Sequence, residues 1–158
     1  MSRNNWPTKK LGEINCVKKF LNNYSIPFEE DKIIPNSEEN SIVDIFFRDK
    51  KYQIVYADFQ FQTLINTAPK DENGVRWVKR QRTQEDVLND FLKNPLEKKK
   101  KYGQAAKGVI LLIDSYTIPP WLEDQVNLVR KLNISYLRNL GFDEIYIVCP
   151  DKNIKVYP

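Results

Sequence analysis

Residues 109–114 (VILLID) are a short apolar run between Gly108 and Asp114. The run is too short for a stable helix and shows no polar alternation, the pattern of a strand buried on both faces of a sheet. Material on both sides must therefore cover it. The flanking patterns supply that material. Residues 10–23 read as a helix, with Leu11, Ile14, Val17, Phe20 and Leu21 at helical spacing. Residues 42–48 (IVDIFFR) and 52–64 (YQIVYADFQFQTL) read as two strands joined by an Asp49-Lys50-Lys51 turn, close enough for a hairpin. Thr83 opens a helix, and Asp86 three residues on completes a capping box. Pro95 either interrupts that helix or starts a second one carrying the lysine run. Pro119-Pro120 start a long helix that Gly141 stops, with Leu122, Val126, Val129, Leu132, Tyr136 and Leu140 along it. Residues 144–149 and 154–157 read as closing strands. Residues 25–41 form an acidic, irregular connection with room for a short strand near Lys32–Ile34. The order is α-β-β-α-β-α-β-β, a mixed α/β sheet flanked by helices. No repeat or linker divides the chain, so residues 1–158 read as one domain.

Composition narrows the function. There is no histidine, which excludes His-based triads, His-type zinc sites and imidazole acid–base chemistry. Two cysteines are too few for a disulfide framework, so the expected compartment is the reducing cytoplasm. No apolar run approaches a membrane span, and the amino terminus has no apolar signal region. The net charge of +4 conceals a pattern. Residues 76–82 (RWVKRQR) hold four positive charges and no acid, and 98–107 (KKKKYGQAAK) hold five. Residues 29–39 hold five acids and one lysine. A single charge run is ordinarily a solvated face. Two basic blocks also suit a surface that tracks a phosphate backbone. Trp77 inside the first block either stacks on a base or packs in the core.

Three acids stand where local physics disfavours them. Glu13 falls within the apolar arc of the first helix. Asp44 interrupts the first hairpin strand, and Asp58 interrupts the second. A partner Lys or Arg or a snorkelling position at the helix edge would explain Glu13, and a strand-end cap or a partner lysine would explain either Asp. So would a cation between them, since paired carboxylates otherwise repel. Oxygen-only ligands then suit Mg²⁺ or Mn²⁺.

Gly12-Glu13 on a helix, Asp44 on a strand and Asp58-Phe59-Gln60 on its partner resemble the PD-(D/E)XK nuclease superfamily, the restriction-endonuclease-like fold. The family pattern is a helix acid, a strand Asp and an acid-x-Lys arm 10 to 20 residues later. The spacing from Asp44 to Asp58 is 14 residues (58 − 44). The resemblance covers roughly residues 10–114. It implies metal-dependent DNA endonuclease activity of a restriction, homing or junction-cleaving type, acting on double-stranded DNA as a homodimer or larger oligomer. Glu13, Asp44, Asp58 and Gln60 would form the catalytic set. Glu13, Asp44, Asp58 and the carbonyl of Phe59 would hold Mg²⁺ or Mn²⁺. The chain departs from the pattern at Val43, where the family often has Pro, and at Gln60, where it has Lys. The missing positive charge would come from elsewhere, with Lys100, Lys101 and Lys107 as candidates. Arg76, Lys79, Arg80 and Arg82 would grip the DNA backbone alongside those lysines. Gln60 also leaves room for an inactive nucleic-acid-binding or protein-interaction module that keeps the nuclease fold.

Overall fold

The computed structural model describes residues 8–38, 40–57, 69–75, 83–116 and 119–158. Its first helix, α1, is Thr8–Asn23. Ile14, Cys16, Val17, Phe20 and Leu21 are buried along one face, and Glu13 lies on the same stripe, as the spacing predicts. Ser25 turns the chain with a left-handed φ of 55°, and the Ile26 amide caps the Leu21 carbonyl at 2.9 Å.

Six strands follow in one sheet, and their order in space is their order in sequence. They are β1 (Ile33–Pro35), β2 (Ile45–Phe47), β3 (Lys50–Tyr56), β4 (Val109–Asp114), β5 (Glu144–Val148) and β6 (Asn153–Tyr157). The first three pair antiparallel, β3, β4 and β5 pair parallel, and β6 returns antiparallel. The mixed α/β sheet expected from the sequence is therefore present. The short strand for which the acidic connection had room near Lys32–Ile34 is present as β1, one residue further on, and adds a strand to the order α-β-β-α-β-α-β-β.

All six residues of β4 are buried, as its uninterrupted apolar run requires. Pleating sends Val109, Leu111 and Ile113 to one face and Ile110 and Leu112 to the other. α1 covers the second face. The first face is covered by the two crossover segments that parallel pairing demands. One contains α2 (Gln84–Leu88), a wide turn over Asn89–Lys93, α3 (Asn94–Lys99) and a tight 3₁₀ stretch over Lys100–Ala106. The other contains α4 (Leu122–Leu132) and α5 (Ile134–Asn139). Each fully buried Leu, Ile or Val in these layers contributes roughly 1.5–3 kcal/mol.

Local chemistry explains the helix breaks. The Thr83 hydroxyl accepts from the Asp86 amide at 3.1 Å, and the Asp86 carboxylate accepts from the Thr83 amide at 3.2 Å, closing the capping box. Pro95 has no amide to donate to the carbonyl four residues back, and the helix widens just ahead of it. It stands in the first turn of α3, so the second of the two roles open to it is the one it takes. The long helix expected over residues 119–141 is instead two helices broken at Asn133. The break changes the phase of the apolar stripe. Leu132 is 74% exposed, and Leu137 and Leu140 are buried in its stead. Gly141 then ends α5 with φ +91°, and a Cβ there would sit 1.9 Å from the Gly103 carbonyl oxygen. Only glycine fits that contact.

The hairpin strands also differ from expectation. β2 is three residues long and starts after Asp44, so Asp44 stands at the strand mouth and not in its middle. β3 starts two residues early and runs to Tyr56. Residues 58–64, expected to continue it, lie outside the described residues, as do Asp58, Phe59 and Gln60.

Candidate cation and phosphate cleft

β2 pairs with β3 from Phe47–Lys50 to Ile45–Tyr52 and then stops, while β3 continues to Tyr56. A polar edge opens at that point. The Asp44 amide donates to the Tyr52 carbonyl at 2.8 Å. Two residues further along β3, the Asp44 side chain does what a strand would have done, with Oδ2 accepting from the Ile54 amide at 2.8 Å. Asp44 thus caps the exposed edge of β3, one of the roles open to it from sequence. Its other carboxylate oxygen is not needed for that bond.

The first turns of α1 approach this opening from one side and the end of α3 from the other. Between them lies a cleft of about 480 Å³ lined by Glu13, Asp44, Gln53, Lys9, Lys10, Lys99 and Tyr102, among others. Glu13 is 6% exposed. Burial first, and the nearby charge of Asp44 second, lift its carboxyl from the usual carboxylate range to about 7, against the pull of Lys9, Lys10 and Lys99. The same burial raises Asp44, against the pull of the Ile54 amide and the charges of Lys99 and Lys9. The helix acid and the strand acid therefore face one cleft and repel each other. Three lysines line that cleft, yet among the described residues no ion pair joins any of them to Glu13 or Asp44.

Gln53 is the residue that sequence reasoning missed. It is 2% exposed, and among the described residues its Oε1 has no hydrogen-bond partner. An orphaned buried amide oxygen is costly, roughly 1–3 kcal/mol. It lies on the pleat of β3 that also carries Val55, where the neighbours are apolar. A polar side chain there was visible in the sequence as the one uncharged amide in Tyr-Gln-Ile-Val-Tyr. Nothing local distinguished it from a solvent-facing position on a half-buried strand. Among the described residues no three acidic or thiol side chains cluster as a complete cation site. The described donor set is two carboxylates and the Gln53 oxygen. It suits a hard divalent cation, since all three donors are oxygens and the carboxylates bring two negative charges.

The other expected residues divide. Lys100 is exposed and reaches Glu97 at 3.5 Å. Lys101 lies over the Tyr102 ring at 5.3 Å, and Lys107 is exposed at the turn before β4. None of these three lines the cleft, whereas Lys99 does. Arg76, Trp77, Lys79, Arg80 and Arg82 lie outside the described residues. In the acidic connection, Glu30 pairs with Lys18 at 2.6 Å and Glu38 lines the cleft mouth. Among the described residues no helix is long and apolar enough to cross a membrane. No protein-family model matches the chain, nor does any curated protein or any solved structure.

Proposed function

We propose that the protein is a divalent-cation-dependent nuclease that hydrolyses phosphodiester bonds in DNA, with Glu13 and Asp44 as its carboxylate ligands. The observation that carries this reading is a single cleft lined by buried Glu13 and half-buried Asp44, which repel each other, and by Gln53, whose amide oxygen has no partner among the described residues. A cation would relieve the repulsion and satisfy that oxygen at once. The arrangement of α1, the β2–β3 hairpin, a helical crossover and β4 also supports a restriction-endonuclease-like reading of the mixed sheet.

In this reading Asp44 is held by the Ile54 amide, so its carboxylate enters the site already oriented. Glu13 brings the second charge from α1, and Gln53 contributes a neutral oxygen. Asp58, the Phe59 carbonyl and Gln60 are the arm expected from the sequence to complete the set. A bound Mg²⁺ or Mn²⁺ supplies Lewis acidity toward a phosphate oxygen and toward water. The lysines of the cleft hold the phosphate backbone, and the 76–82 block extends that grip along double-stranded DNA. A homodimer would place two such clefts on the two strands.

One observation favours a second reading. Gln53 and Gln60 are uncharged where an acid and a lysine would strengthen catalysis, and a nucleic-acid-binding module without hydrolysis would tolerate both. Supercoiled plasmid incubated with Mg²⁺ or Mn²⁺ separates the two. The nuclease reading expects nicking or linearisation that EDTA stops, and a loss of at least roughly 1000-fold in Asp44→Asn and Asp58→Asn. Full activity in Asp44→Asn removes the site. Full activity in Asp58→Asn leaves Gln53 as its third oxygen. Salt-sensitive DNA binding with no cleavage selects the second reading.

A further inference from the structure

We infer that Lys99 holds the reacting phosphate in the cleft and offsets the charge that develops on it, a role that rests on the nuclease reading above. Charge counting sets the requirement. Two carboxylates balance one divalent cation, and Gln53 adds nothing. A phosphodiester brings one negative charge, and attack on it builds a second on the phosphate oxygens. A buried site needs a fixed positive group to stabilise that second charge.

Position selects Lys99 from the lysine run. It is the last residue of α3, half-buried, and lines the same cleft as Glu13, Asp44 and Gln53. Its charge is felt by both carboxylates, yet among the described residues its ammonium has no ion-pair partner. The Tyr102 ring lies 5.7 Å from Nζ and restrains the side chain at the cleft wall. Lys101 meets the same ring but is exposed and does not line the cleft. A lysine near two carboxylates but bonded to neither is available to an anion that arrives with the cation.

The test compares Lys99→Gln, Lys99→Arg and Lys101→Gln in the full chain. With Ca²⁺ in place of Mg²⁺, the nuclease reading expects a short duplex oligonucleotide to bind without being cut. Under those conditions Lys99→Gln is expected to weaken binding about tenfold, with Lys99→Arg recovering most of it and Lys101→Gln within about twofold of wild type. Without DNA, Lys99→Gln should tighten Mn²⁺ binding, because a repelling charge has gone, and its unfolding midpoint should stay near wild type. Under Mg²⁺, single-turnover cleavage should fall roughly 100-fold. Wild-type DNA affinity in Lys99→Gln, or weaker Mn²⁺ binding in it, overturns the inference. If wild type itself does not cut, the nuclease reading fails. A loss of Ca²⁺-supported DNA binding in Lys99→Gln would still establish the phosphate contact.

Discussion

Two buried acids, one ending a sheet strand and one on the helix packed against it, have opposite surroundings. Asp114 ends β4, and Lys19 of α1 reaches its Oδ1 at 2.6 Å while also donating to the Ser115 carbonyl at 3.0 Å. That acid is neutralised by a partner within the fold, and the pair ties α1 to the sheet. Glu13 lies on the same helix, six positions earlier (19 − 13), and faces Asp44 in a cleft where Lys9, Lys10 and Lys99 act on it, yet among the described residues none forms an ion pair with it. Its surroundings do not neutralise it, and the protein tolerates the cost. Structural acids are paired by the chain itself. An acid that the chain leaves facing another acid keeps its proton to higher pH, and the proposed cation would relieve the same repulsion.

The largest expected effect separates the two sites by function. Asp44→Asn should abolish Mg²⁺-dependent plasmid cleavage, while Asp114→Asn should keep it within a few-fold of wild type. Equal losses in both would erase the distinction. Stability should divide the other way. Lys19→Met strands a carboxylate that is nearly buried, and urea unfolding should show a loss of about 3 kcal/mol. A change under half a kcal/mol would mean that the pair adds little to holding α1.

The acid–acid site also predicts a pH dependence. The folded protein holds the Glu13 proton up to about 7, whereas the unfolded chain releases it near 4.5. The folded state therefore binds more protons between those values, and stability falls as pH rises through that window, by roughly 3 kcal/mol at most, levelling off above it. Urea titrations in EDTA should show this decline in wild type and a flatter profile in Glu13→Gln, which becomes the more stable of the two at pH 8. A pH-independent difference between them would place Glu13 in a better-solvated setting. The smallest effect concerns DNA grip. Neutralising Lys79, Arg80 and Arg82 together should lower the slope of log affinity against log salt by about 0.9 per lost phosphate contact. An unchanged slope would move the DNA surface away from the 76–82 block.

Much of the site was legible in residues that break a pattern. Glu13 in an apolar stripe and Asp44 within the apolar run of residues 42–47 both break a pattern, and the structure brings them to one cleft. Gln53 broke no pattern, since one amide on a strand is ordinary until both faces of that strand are known to be covered. The lysine run was visible as charge. Which lysine turns inward depends on where α3 ends and how the wide turn before Pro95 rotates it. The short β2 was not legible either, because Ile42 and Val43 are as strand-prone as the residues that follow them.

The amino-acid sequence by itself determined the layered α/β architecture, the strand buried on both faces, the capping box at Thr83 and the glycine stop at 141. Each of these depends on side-chain period or on backbone chemistry within a few residues. Only the tertiary structure decided that β2 ends its pairing early, that Asp44 caps the bared edge of β3, and that Gln53 and Lys99 share its cleft with Glu13. Those outcomes depend on contacts between different segments of the chain, from the neighbouring hairpin strands to α1 and α3, where burial and charge act through space and leave no mark on local sequence.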